Sequence, residues 1–297
     1  MSDIKADRVL RPLDAKAAFD VVEIDKQTYR GVKPLRKPAK EIRGVYGGNI
    51  VGQGILVAMR SSPSGFTPNS VHSHFIKAVN EETPLIWKVE EVSTGKSFAT
   101  RKLRALQDDV VVFTSMVSLT SKNSASKTGH KDSTQMEYSV PPGKTLTTQS
   151  LKGEPSAYAA LPLFVYQKFY EDQKDKDTYA FQLRWGIKDD ANFYQEHQNV
   201  TPEFKYVGLT ILTDWVAVEL AVPHVGMEVP PKFETSIDHN IYYHEDDFDI
   251  DQWFVYVLGF KWIGNDRALV KADLYTEDNK HVVTIVQERL YITSSKL

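Results

Sequence analysis

No cysteine occurs among the 297 residues. That excludes a disulfide framework, a thiolate nucleophile and cysteine-based zinc sites, and it leaves the redox compartment undecided. Long apolar runs are also missing. Nowhere do about 18 apolar residues follow one another, and the opening MSDIKADRVLRPLDAK has no hydrophobic core of a secretory signal. A chain that neither spans a membrane nor carries a standard leader is expected. Positive charge is not in excess either: 36 Lys and Arg stand against 39 Asp and Glu, for a net charge of −3, with no basic cluster. Binding to nucleic-acid phosphates is therefore not expected. What remains, 41% apolar and 25% charged residues, is the composition of a globular protein long enough for one large domain or two ordinary ones.

The chain repeats itself. Residues 71–103, VHSHFIKAVNEETPLIWKVEEVSTGKSFATRKL, overlay residues 237–269 at a constant offset of 166, which sets His72 on Asp238, Trp87 on Trp253 and Arg101 on Arg267. The same offset lays GGNIVGQGILVAM (47–59) over TDWVAVELAVPHV (213–225), two apolar helix-like stretches. In each copy a leading strand (AFDVVEIDKQTYRG; TYAFQLRWGI) precedes the helix, and β-rich runs separated by Gly, Asn and Asp turns follow it. A helix as apolar as NIVGQGILVAM has no polar face to turn outward, so an antiparallel sheet must wrap it. The predicted fold is α+β, in two tandem units. The first spans residues 1–119. A linker rich in Ser, Thr and Lys occupies 120–153, and the second unit, opening on the helical-looking SAYAALPLFVYQKFYEDQKDK, spans 154–297.

Four stretches invite functional readings. GVYGGNIVGQG lacks both the dinucleotide fingerprint and a Walker lysine. Its glycines instead predict a helix start approached closely by other backbone, where unpaired N–H groups at Gly47 and Gly48 favour negative charge. FETSIDHNIYYHE (233–245) reads as a strand with Asp238 among apolar neighbours. Strict alternation puts Ser236, Asp238, Asn240, Tyr242 and His244 on one face and His239 on the other. His244 then lies roughly 20 Å from Asp238, too far to share an ion, so no metal site is expected here. HEDDFDID (244–251) lacks the central Gly and closing Glu of a calcium loop. Lastly, the sequence finishes YITSSKL, and Ser295-Lys296-Leu297 matches the address read by the peroxisomal import receptor. Peroxisomal localisation, with that receptor as a partner, is expected.

VYGGNIVGQG, VHSHFIKAV, GKSFATRKLRALQ, IDHNIYYH, DNKHVVTIVQE and the final SKL, in this order, resemble the acyl-CoA thioesterase II family, including its peroxisomal members, over roughly residues 17–297. The resemblance implies a double hotdog, in which each unit is a central helix wrapped by a curved antiparallel sheet, and association into a homo-oligomer. It implies hydrolysis of fatty acyl-CoA to acid and CoA with no metal and no cofactor, by an Asp, a Ser or Thr, and a Gln set around a water. On the quoted motifs the Asp falls at Asp238 and the Gln at Gln287. Gly47 and Gly48 become oxyanion donors, and a hydrophobic groove between the halves takes the acyl chain. Aligning Trp253 and Arg267 with the family places the hydroxyl at Phe260 or Lys261, where no Ser or Thr stands. A Lys261 ammonium beside Asp238 would make it a weaker base.

Other residues carry weaker readings. His72 occupies in copy one the place of Asp238 and suits a supporting role, Gln53 on the apolar helix needs a partner if buried, and Arg267, like Arg101, could meet CoA phosphates or close a rim salt bridge. Besides hydrolysis, two activities stay open: a dehydratase, lyase or cyclase acting on an acyl-thioester or polyketide-like substrate, and silent acyl-CoA binding.

Overall fold

The computed structural model describes residues 12–37, 43–122, 146–147, 165–170, 178–185, 197–215 and 233–292. A short parallel pair, β1 (Leu13–Asp14) with β11 (His197–Gln198), stands apart from one large sheet of 14 strands. In chain order these are β2 (Val21–Asp25), β3 (Thr28–Gly31), β4 (Thr67–Phe75), β5 (Ile86–Thr94), β6 (Phe98–Gln107) and β7 (Val110–Thr120) in the first half. The second half supplies β8 (Leu146–Thr147), β9 (Val165–Tyr170), β10 (Thr178–Trp185), β12 (Phe233–Ser236), β13 (Asp238–Tyr243), β14 (Phe254–Gly264), β15 (Arg267–Thr276) and β16 (His281–Ile292). Among the described residues three helices accompany them: α1 (Ala15–Phe19), α2 (Gly47–Arg60) and α3 (Pro202–Thr213).

The spatial order β2-β3-β5-β6-β7-β4-β13-β16-β15-β14-β10-β9-β8 reads nearly the same from either end when halves are exchanged. Its centre is the antiparallel β4–β13 pair, in which His239 faces Ser73, Asn240 faces His72 and Asp238 faces His74. Residue 73 and residue 239 are themselves 166 apart, and the Ser73 hydroxyl donates to the His239 carbonyl at 2.6 Å. The repeat offset is thus a pseudo-two-fold axis through this pair, where each strand meets its own duplicate as in an isologous dimer. The duplication expected from spacing is built into one continuous sheet.

Local sequence explains the strand joints. Asp108-Asp109 and Asn265-Asp266 each take positive φ in two-residue turns between β6 and β7 and between β14 and β15. Asn and Asp tolerate that conformation, and its twist suits a hairpin. The sheet wraps α2, whose residues from Gly48 to Ala58 are all buried. α3 packs against it through glycine: a Cβ on Gly52 would sit 3.2 Å from the Val207 carbonyl. Both helices lie in one core with Trp87, Phe113, Trp185, Phe254 and Tyr256.

Three local expectations change. AFDVVEIDKQTYRG holds the end of α1 and a β2–β3 hairpin rather than one strand. SAYAALPLFVYQKFYEDQKDK contains strand β9 where helix was expected, and four of its six residues, Val165, Tyr166, Phe169 and Tyr170, are of the β-branched and aromatic types enriched in strands. The second helix, expected over 213–225, runs instead over Pro202–Thr213, opened by Pro202 at its first turn and ended at Asp214; residues 216–225 lie outside the described residues. Of the stretch 120–153, only 120–122 and 146–147 are described, and Ser295, Lys296 and Leu297 also lie outside them.

Candidate active site

Asp214, the residue that closes α3, is 5% exposed, and Gln287 on β16 is fully buried. Gln287 Nε2 donates to Asp214 Oδ1 at 2.5 Å and to Ser236 Oγ at 3.0 Å. Ser236 Oγ in turn donates to Asp214 Oδ1 at 3.4 Å. The other carboxylate oxygen, Oδ2, accepts the Gly48 N–H at 2.8 Å, from the first turn of α2. A buried carboxylate, a primary amide and a hydroxyl therefore converge where the amino end of one half's helix meets the carboxyl end of the other's. The helix dipole of α2 and its unpaired N–H groups offset the cost of burying that charge.

Each partner is held from behind. Arg289 Nη1 donates to Gln287 Oε1 at 3.3 Å, and Arg289 is itself ion-paired with Glu234. This fixes the amide so that Nε2 faces Asp214. At the end of α3, Tyr46 OH donates to the Ile211 carbonyl at 3.1 Å and Tyr256 OH to the Thr213 carbonyl at 3.3 Å. Burial, and then the Asp214 charge, push both phenols well above the usual tyrosine range, so they stay neutral donors. His239 is buried among the same residues, and burial lowers its pKa. Thr213 Oγ1 donates to the Thr210 carbonyl at 2.7 Å, so the 2.8 Å contact with His239 Nε2 makes that nitrogen the proton donor. The neutral imidazole braces the helix end beside Asp214.

Asp238, expected at the centre of the site, sits elsewhere. Its Oδ1 accepts the Glu288 N–H at 2.7 Å, which ties β13 to β16 on the outer face of the sheet. The reason is a β-bulge. Ser236 pairs with Arg289, but Asn240 pairs with Val286, so four steps on one strand match three on the other. The extra residue reverses the alternation, turning Ser236 inward to Gln287 and leaving Asp238 outward. The hydroxyl that stands beside Gln287 and Asp214 is that of Ser236, and neither Phe260 nor Lys261 is a hydroxyl residue. Phe260 packs against the core, and Lys261 is an exposed residue skipped by the pairing of β14 with β15 between Phe260 and Trp262.

The remaining residues divide in the same way. His72 lies on the outer face, against Asn240 Oδ1 at 3.2 Å and edge-on to Tyr242. Arg267 pairs with Glu288 at 2.9 Å at the exposed rim. Gln53 is buried with both ends used, accepting from Trp87 Nε1 at 2.9 Å and donating to the Phe19 carbonyl at 3.1 Å; it fastens α2 to the sheet. Arg101 is buried and donates to the carbonyls of Ser61, Ser93 and Thr100. Of the expected site residues, the structure brings together Gln287, Gly47 and Gly48. Asp214 and Ser236 join them without a motif to mark them, although a lone carboxylate inside the apolar run TILTDWVAV is a signal, since a charge is rarely buried unpaired.

A curved sheet closed around paired helices, duplicated across a pseudo-two-fold axis with an acid, amide and hydroxyl at the seam, is a double hotdog. Solved double hotdogs share it: an acyl-CoA thioesterase II, TesB2, of Mycobacterium marinum superposes with a TM-score of 0.69 at 19% identity, covering 95% of this chain and 100% of that one. A hot dog fold protein of Alicyclobacillus acidocaldarius gives 0.70 at 14% identity, covering 94% and 98%. Sequence models of the acyl-CoA thioesterase N-terminal and C-terminal domains match residues 35–120 and 193–291. Acyl-coenzyme A thioesterase 8 of Homo sapiens is 24% identical, over 94% of this chain and 89% of its own length. The peroxisomal acyl-coenzyme A thioester hydrolase 1 of Saccharomyces cerevisiae is 23% identical, over 84% and 86%. The chain belongs to the acyl-CoA thioesterase family, and it is a thioester hydrolase acting on acyl-CoA.

Proposed function

We propose that Asp214, Ser236 and Gln287 activate the water that hydrolyses the acyl-CoA thioester. The observation that carries this reading is the amide of Gln287 shared between Asp214 Oδ1 and Ser236 Oγ, beside the amino end of α2. Ser236 and Gln287 hold the water, and Asp214 takes its proton as the oxygen attacks the carbonyl carbon. The C–S bond then breaks, and the proton on Asp214 passes to the departing CoA sulfur. Acid and thiol leave with atoms and charge balanced, and no acyl-enzyme forms. Gly48 N–H is committed to Asp214, so the oxyanion donor falls to Gly47. Among the described residues the Gly47 N–H has no partner, and it lies on the same positive helix end. Incubating the protein with acyl-CoAs of graded chain length and a thiol reagent tests the activity. Free CoA is expected in step with fatty acid, and an altered acyl group without free CoA would refute hydrolysis.

The same reading places the protein in peroxisomes, with Ser295-Lys296-Leu297 taken up by the import receptor. The tripeptide and the name of the yeast relative support it. A fluorescent protein fused ahead of residue 1 is expected to label peroxisomes and to disperse through the cytosol when Leu297 is deleted.

A further inference from the structure

A cavity of about 410 Å³ opens beside the amino end of α2, walled by Phe19, Pro34 and Leu35, with Lys33 and Arg36 on its exposed rim. Asn49 lies on its floor, 1% exposed, and Asn49 Oδ1 has no hydrogen-bond partner among the described residues. The amide is not free to turn over, because Asn49 Nδ2 donates to the Arg36 carbonyl at 3.4 Å. Asp14 shares the wall, but its carboxylate is engaged by the Ala17 N–H at 2.9 Å.

A buried acceptor without a donor is costly, and such groups are nearly always paired when a site is filled. A hydrocarbon tail cannot supply the missing donor. An amide N–H can, and anionic groups suit the two rim cations. Position adds a third constraint: Asn49 follows Gly48, whose N–H holds Asp214. A ligand lying over Asn49 therefore rests one residue along α2 from the residue that holds Asp214, with Lys33 and Arg36 on the rim beside it. Resting on the hydrolase reading above, we propose that this cleft receives the CoA portion of the substrate. A pantetheine amide donates to Asn49 Oδ1, and the phosphates meet Lys33 and Arg36.

CoA itself, which cannot be hydrolysed, is the probe. Calorimetric titration is expected to give a dissociation constant raised about tenfold or more in Lys33→Glu/Arg36→Glu relative to wild type, with a weaker dependence on salt. Both side chains are exposed, so the variant folds. KM should rise for acyl-CoA but not for the acyl-pantetheine thioester, which lacks the nucleotide phosphates. Asn49→Ala should raise KM for both. Equal CoA affinity in wild type and the double variant, or no CoA binding by wild type, overturns the cleft. Hydrolysis with that affinity unchanged removes the cleft and leaves the hydrolase reading standing. Charge-dependent CoA binding without thiol release from any acyl-CoA does the reverse.

Discussion

Asp214→Asn is expected to lower kcat for acyl-CoA hydrolysis by about 10²- to 10⁴-fold, the range supplied by a general base, while Asp238→Asn stays near wild type. Asparagine keeps the shape of the side chain and can still accept the Gly48 N–H on its oxygen. It has no second oxygen to accept from Gln287 Nε2 and the Ser236 hydroxyl, and it cannot take a proton from water. The loss should fall on kcat, and the two buried donors left without an acceptor should also lower stability, which urea titration of the same variant measures separately. Asp238 offers a matched control. It carries the same group 24 residues further on, but its bond is to the Glu288 backbone on the far side of the sheet. A full loss of turnover in Asp238→Asn with Asp214→Asn unaffected would return the base to the residue that the motif suggested and remove the site described above.

The two carboxylates also show where sequence stops being legible. Duplication, the wrapped apolar helix and the seam between halves follow from periodicity and a constant offset, because burial of one face of a strand or all faces of a helix writes itself into residue order. Gln287 was legible only through the resemblance, as the Gln of DNKHVVTIVQE, and in the structure it stands on the inward face of β16. Asp238 was singled out by its motif, and regular alternation set it on the same face as Ser236; a single inserted residue between Ser236 and Asn240 parts the two, and a bulge leaves no mark on period. Asp214 was obscured by a shifted helix boundary. With TDWVAVELAVPHV taken as helix interior, its position as the residue ending α3 could not be seen, nor could its meeting with Gly48 from the other half. Contacts across the pseudo-two-fold axis depend on three-dimensional closure, which local pattern does not encode.

Closure itself depends on glycine, and Gly48→Ala should show it. Helix propensity alone favours the change by about 1 kcal/mol. Space opposes it: a Cβ at Gly48 would stand 2.8 Å from the Ile211 carbonyl oxygen, 3.2 Å from Asp214 Cβ and 2.6 Å from the Tyr46 ring. The ring can turn aside, but a backbone carbonyl that already accepts from Tyr46 OH cannot. α2 must therefore move away from α3. Overpacking of this kind costs about 1 to 3 kcal/mol, and lengthening the bond from Gly48 N–H to a buried carboxylate forfeits much of about 1.5 to 3 kcal/mol more. The opposing terms exceed the propensity gain, so a net destabilisation of about 2 kcal/mol is expected, read as a lower urea midpoint, together with a large fall in kcat as Asp214 loses its donor. Gly52→Ala grades the effect. There the added Cβ meets the Val207 carbonyl at 3.2 Å and lies away from Asp214, so stability should fall less and turnover should largely survive. If Gly48→Ala were instead more stable and fully active, the two helices would not be in the contact on which the proposed site is built, since the same atoms that crowd the new methyl group are those that position the acid.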